Sequence, residues 1–224
     1  MKKRVAVFAL AVFALHANAQ KTLRELIRTD KGVTQRFVTV KQDNAMPFNP
    51  SAAAAIFGLQ EGASLTLLKT ETDKLGMQHY RYYQTYQGIP VENSMYIVHT
   101  SNGKLVSMSG EIVTDFIPAT MQSKSSKITA EQAIKAALKK VNAQVYAWQD
   151  NEMERSLKEQ KQNKNATYAP VAKLVWYNSG DALNPSELKL AYKVDVYARM
   201  PLSRAYYFID ASSGELIGQK EILN

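Results

Sequence analysis

Hydrophobic and polar positions alternate with a period of two over three consecutive stretches near the middle of the chain. Residues 77–86, 91–100 and 104–113 each set apolar or aromatic side chains on one side and polar ones on the other, the pattern of a half-buried strand. Gln87-Gly88-Ile89-Pro90 and Ser101-Asn102-Gly103 separate them as turns. Asn-Gly is a strong hairpin signal, because both residues accept the left-handed backbone that a two-residue turn requires. The stretches predict an antiparallel meander. A weaker alternation over 64–70 predicts a strand entering it through a turn at 72–76, and 36–40 predicts one more.

The period changes elsewhere. Pro47 and Pro50 mark a break, after which Asn49 or Ser51 can cap a short helix over 52–57 that Gly58 ends. That helix is too short to stand on propensity, so Ile56, Phe57 and Leu59 must hold it by packing. Residues 118–127 are polar and serine-rich and read as a linker. Thr129 then opens a helix with a capping box to Gln132, and Ile134, Ala137, Leu138, Val141 and Val145 form one apolar stripe that must lie on a sheet. Residues 151–167 are highly charged and lack an apolar face, so they read as an exposed insertion or frayed helical extension. Four strands follow at 171–177, 188–197, 205–210 and 215–222, the last pair joined through Ser212-Ser213-Gly214.

Helices beside antiparallel sheets make the expected class α+β, as two small domains, each an antiparallel sheet packed with one or two helices. The expected boundaries are a leader at 1–19, a first domain at 20–117, a linker at 118–128 and a second domain at 129–224. Tyrosine, at 12 residues, favours the sheet reading, with each ring covering the pleated surface and its hydroxyl reaching water.

The leader has its own chemistry. Lys2, Lys3 and Arg4 precede an apolar run from Val5 to Leu15, and Ala17-Asn18-Ala19 supplies small residues where a signal peptidase reads. Cleavage is expected after Ala19, and the run is too short for a stable membrane anchor. The mature chain is expected to be secreted, periplasmic or extracellular. Three of the 28 basic residues fall in the leader, so the formal charge of +8 becomes +5 beyond it. That excess is scattered and lacks arginine–aromatic platforms, which argues against a nucleic-acid partner. With no cysteine, neither a disulfide nor a thiolate nucleophile exists, and stability must come from core burial.

Chemistry-bearing patterns are sparse. A hydrolytic zinc site places two histidines one helical turn apart with a glutamate between them, and no H-E-x-x-H occurs. Beyond the leader only His79 and His99 remain. They sit nearly symmetrically about the Gly88–Ile89 turn and should be near cross-strand neighbours, with no third ligand evident beside them. Ser107-Met108-Ser109-Gly110 lies inside a strand and not on a nucleophile elbow, and the 10 glycines are single turn markers with no phosphate loop among them. No catalytic, metal or cofactor site is expected.

Two stretches resemble known modules. His79-Tyr80-Arg81-Tyr82-Tyr83-Gln84, the Gly88-Ile89-Pro90-Val91 turn, His99 in the return strand and the Asn102-Gly103 hairpin running on to Gly110 resemble, in that order, the fungalysin/thermolysin propeptide module. The helix from Thr129 and Tyr207-Phe208-Ile209-Asp210-Ala211-Ser212-Ser213-Gly214-Glu215 resemble the PepSY domain, whose fold is cystatin-like. The resemblance implies a non-catalytic propeptide acting as intramolecular chaperone and temporary inhibitor of a thermolysin-like secreted zinc metallopeptidase, in cis or in trans. It implies partner contacts at His79, Arg81, Gln84, His99, Lys220 and Asn224. Turn roles fall to Gly88, Pro90, Gly103, Gly110, Asp210 and Gly214. In such precursors a catalytic domain follows, whereas this sequence stops at Asn224. A fragment ending at the pro/mature boundary and a free-standing chain both fit. A secreted protease inhibitor or regulator and a cell-surface binding module without a protease partner therefore stay open as alternatives.

Overall fold

The computed structural model describes residues 23, 25–41, 46–117 and 126–222. The leader with Ala19, most of the expected linker and Asn224 lie outside the described residues. The described residues fall into two compact units, one within 1–117 together with 180–186 and one within 118–179 together with 187–224.

In the first unit the strands are β1 (Phe37–Thr39), β2 (Ala63–Thr72), β3 (Gln78–Tyr86), β4 (Ile89–Ser101) and β5 (Lys104–Glu111). They pair antiparallel in the order β2-β3-β4-β5-β1. Both hairpin turns take two residues with positive φ, Gln87-Gly88 (54° and 80°) and Asn102-Gly103 (50° and 72°). The first is tighter than expected. Pro90 is not a turn residue but stands in β4 opposite Thr85. A proline lacks the N–H that a strand interior would need, and near a strand start that loss is tolerated.

Asn49 is the residue that caps the short helical stretch, accepting from the Ser51 N–H at 3.0 Å, and a 3-10 turn Pro50–Ala52 leads into the helix Ala53–Ile56. Packing holds it as anticipated, because Ile56 and Phe57 join Val38, Val98, Leu105, Met108 and Ile112 in the core. The tyrosine expectation needs correcting here. Tyr82 and Tyr96 face each other across β3 and β4 and are fully buried, Tyr82 Oη donating to the Pro50 carbonyl at 3.1 Å. Loss of solvent pushes both phenols above their ordinary pKa.

The second unit contains β6 (Val145–Tyr146), β7 (Ala172–Tyr177), β8 (Lys189–Met200), β9 (Ser203–Asp210) and β10 (Leu216–Glu221). The order is β7-β8-β9-β10, with β6 pairing the far end of β8 at Ala198 and Met200. The helix Ala130–Val141 starts at the expected capping box and lays Ala133 and Ala137 on Val194, Val196, Ala205 and Ile209. It ends earlier than its stripe implied. Asn142 turns left-handed (φ 49°), and Val145 leaves the helix for β6.

The charged segment is exposed, as expected, and its helical alternative holds, as an ordered helix rather than a frayed one. Residues Asn151–Lys161 form a helix capped by Asp150, whose Oδ1 accepts from the N–H groups of Glu152 (2.9 Å) and Met153 (3.1 Å). Glu152 and Glu154 lie in its first turn and Lys158 and Lys161 in its last, which complements the helix dipole. Only Leu157 is buried. Among the described residues no helix is long and apolar enough to cross a membrane.

Candidate functional site

Side chains alternate across a strand, so His79 and Arg81 point to one face of the first sheet while Tyr80, Tyr82 and Gln84 point to the other. The structure bears this out. Gln84 is 0% exposed and closes a ring with the backbone of Val113, donating Nε2–H to its carbonyl at 2.7 Å and accepting its N–H at 2.8 Å. Its own N–H donates to Ser94 Oγ at 3.1 Å. In this fold Gln84 is a structural clamp and not a surface group, a correction to its expected place at a partner contact. Its spacing of three from Arg81 already put it on the opposite face.

His79 and His99 are direct partners in the β3–β4 register, with Nδ1 atoms 2.7 Å apart and rings meeting edge to face at 4.9 Å. Asp73 Oδ2 lies 3.2 Å from His79 Nε2, and Ser109 Oγ lies 3.4 Å from His99 Nε2. The result is a four-membered chain, Asp73–His79–His99–Ser109, across three strands and a turn. Asp73 is fixed by that turn, its Oδ1 accepting from Leu75 (2.8 Å) and Met77 (2.9 Å). Those N–H groups, with Met77 contributing most and His79 adding to it, hold its carboxyl below the usual carboxylate range. From sequence Asp73 falls in a turn and Ser109 inside a strand, and neither is expected beside the histidines. The Asp-x-x-Gly spacing of the turn was the available signal for Asp73.

The chain's chemistry follows from one short contact. Between two Nδ1 atoms at 2.7 Å one nitrogen must donate and the other accept, so the contact has room for a single proton. Burial, and then the nearness of His79, lower the pKa of His99 accordingly. Glu71, opposite His79 on β2, and Ser107, opposite His99 on β5, complete that row of the face. Arg81 lies one row on, opposite Ile97, its guanidinium 3.6 Å from Met95 Sδ. Among the described residues no group of three or more His, Asp or Glu side chains could hold a metal ion.

The remaining expected positions divide by element. Lys220 is an exposed β10 residue opposite Tyr206. Gly110, inside β5 at φ 108°, has room for no side chain, since a Cβ there would sit 2.1 Å from the Met95 carbonyl oxygen. Asp210 organises the β9–β10 turn. Its Oδ1 accepts from Ser212 N–H (2.8 Å), Ser212 Oγ (2.6 Å) and Ser213 N–H (3.0 Å), and Gly214 N–H donates to its carbonyl at 2.9 Å. Burial pulls the Asp210 carboxyl upward, but the Ser212 and Ser213 hydrogen bonds outweigh it and leave its pKa below the ordinary value. Gly218, not singled out from sequence, lies where a Cβ would stand 2.0 Å from Tyr177 Oη.

Comparison with known proteins matches residues 63–112 to the Fungalysin/Thermolysin Propeptide Motif and residues 127–220 to the Peptidase propeptide and YPEB domain. The chain is 28% identical over 163 residues to a thermolysin of Alicyclobacillus acidocaldarius, covering 72% of this chain and 26% of that protein. It is 30% identical over 156 residues to a bacillolysin of Brevibacillus brevis, covering 69% and 25%. It thus spans about a quarter of the length of these curated relatives. A solved structure, the Bacillus megaterium YpeB C-terminal domain, overlays 92% of this chain and 97% of its own at 14% identity and a TM-score of 0.34. The meander with its His79–His99 rung falls within the first matched region and the Asp210-anchored hairpin within the second, and over these residues the chain carries, in order, the two domain types of a thermolysin-family propeptide.

Proposed function

We propose that this chain is the exported proregion that templates the folding of a thermolysin-like zinc metallopeptidase domain and covers its cleft until export is complete. The observation that carries this reading is the succession of two propeptide domain types, 63–112 and then 127–220, in one chain related to thermolysins and bacillolysins. Such domains are non-catalytic regions of their precursors, so the chain acts by shape and surface. A large protease that folds slowly gains from a template, and its activity must be masked meanwhile.

The contact surface is the outer face of the first sheet around His79, Arg81 and His99, with Lys220 on the last strand as a second point. The neighbouring strand β2 pairs with β3 alone among the described strands, and a free edge can accept a partner strand by backbone hydrogen bonding. The apolar leader ending at Ala19 supplies the export signal.

The test is inhibition. The purified chain is titrated into the active thermolysin-like domain encoded in the same genome, and peptide hydrolysis is followed. Stoichiometric loss of activity, weakened by Arg81→Ala, supports the reading. Unchanged hydrolysis at a large molar excess contradicts it.

A further inference from the structure

The histidine rung of the first sheet has a geometry that strand pairing does not require. The two Nδ1 atoms converge on one point, 2.7 Å apart. Each Nε2 faces an oxygen on the far side of its own ring, Asp73 Oδ2 at 3.2 Å from His79 and Ser109 Oγ at 3.4 Å from His99. Metal-ligating histidines are held in this way: one nitrogen is aimed at the ion, and the other donates its proton to an outer oxygen that fixes the tautomer and the ring.

Proton placement decides whether that point is open. A carboxylate only accepts, so His79 carries its proton on Nε2 and keeps a lone pair on Nδ1. The turn holds Asp73 in this role, because its other oxygen is taken by the N–H groups of Leu75 and Met77. Ser109 Oγ can donate or accept. With the His99 proton on Nδ1, that proton fills the short contact. With it on Nε2, His99 donates to Ser109 and two lone pairs face each other. Such a pair is repulsive unless a cation lies on it, and reaching it costs a change of tautomer and no net proton.

Distance selects the ion. Two nitrogens each about 2.0 Å from a metal lie about 2.8 Å apart at a right angle and about 3.3 Å apart at the tetrahedral angle. The observed 2.7 Å matches the right angle of a square-planar or tetragonal shell. Copper(II) takes that shell and leads the divalent first-row metals in affinity for nitrogen ligands. Both histidines are half-buried, so water reaches the remaining positions. Two imidazoles make an open site, short of the three protein ligands of a resident zinc centre. Glu71, opposite His79, is engaged by Lys69 at 2.7 Å and stays outside the shell.

We infer that His79 and His99 form a two-point site for a divalent transition metal of tetragonal preference, copper(II) foremost, bound through their Nδ1 atoms while Asp73 and Ser109 hold the outer nitrogens. Asp73 and Ser109 are positioning residues and do not touch the ion. The inference stands apart from the protease reading and would survive its failure.

The experiment titrates copper(II), zinc(II) and magnesium chlorides into the metal-free full chain at neutral pH, by calorimetry and, for copper, by electron paramagnetic resonance. Copper should bind one to one and tightest, zinc more weakly and magnesium not at all, and the copper spectrum should show two equatorial nitrogens. His99→Gln should weaken copper by about tenfold or more and leave one nitrogen in the spectrum. His16→Gln, at the third histidine of the sequence, should change neither. Asp73→Asn puts a donor beside His79 Nε2 in place of the acceptor and should also cost about tenfold. It gives the same reading should His99→Gln misfold by circular dichroism. No saturable copper binding, fewer than two nitrogens in the unmodified chain, tighter binding of zinc or magnesium, or indifference to these substitutions would overturn the inference.

Discussion

Gln84 and Val113 lock each other across the first sheet, the side-chain amide exchanging two hydrogen bonds with a backbone N–H and carbonyl that have no ladder partner of their own at that point. Residues 29 apart in sequence are thereby fixed, and the end of β5 is tied to β3. Gln84→Ala strips a buried donor and a buried acceptor of their partners and opens a void. It should cost about 2–4 kcal/mol of stability. Urea unfolding followed by far-ultraviolet circular dichroism measures this, and a loss below about 1 kcal/mol would show that the clamp is not needed.

The His79–His99 rung makes stability fall on acidification. The folded state holds the His99 pKa below its ordinary 6.5, so the unfolded chain binds the proton more readily. The contribution is complete above about pH 6.5 and is lost as pH falls from there through the lower folded value. Asp73, whose carboxyl is also held low, acts in a separate and more acidic window. Unfolding midpoints between pH 7.5 and 5 should decline in the wild type and flatten in His99→Gln. An identical slope in the variant would remove His99 as the cause.

Two glycines should rank clearly. Gly110→Ala drives a Cβ into the Met95 backbone at a left-handed φ, where nothing can yield without breaking the β4–β5 ladder. Gly218→Ala meets the end of Tyr177, a ring held by stacking on Phe208 at 3.8 Å. The second should cost about 1–3 kcal/mol, and the first more. Thermal unfolding of both variants orders them, and the combination Gly218→Ala with Tyr177→Phe should recover part of the loss.

Asp150→Ala removes the cap of the helix Asn151–Lys161 and the ion pair with Arg199. A loss of about 1–2 kcal/mol is expected. Amide exchange should rise first at Glu152 and Met153.

Sequence alone disclosed what is local. The Asn102-Gly103 turn, the Thr129–Gln132 capping box and the pairing of His79 with His99 depend on neighbours or on symmetry about one turn, and each is where the residues placed it. What was missed depends on the third dimension or on weak local signals. Gly218 reveals its reason only when Tyr177 is folded over it. Sequence leaves the Asn151–Lys161 helix as one of two alternatives, because its one buried leucine is too little for a periodic signal and it is held by a cap and by charge order. Val145 continued the helical stripe in spacing, yet Asn142 takes the left-handed turn that ends the helix. Gln84 was grouped with His79 and Arg81 by motif, although strand parity already separated them.

The most direct test of the central claim is refolding. A denatured thermolysin-like catalytic domain from the same genome is diluted into calcium and zinc buffer with and without one equivalent of this chain, and correctly folded enzyme is quantified after the chain is digested away. The account predicts a yield several-fold higher with the chain than without it, at full stoichiometry and not with an unrelated basic protein. Equal yields in both samples would contradict it.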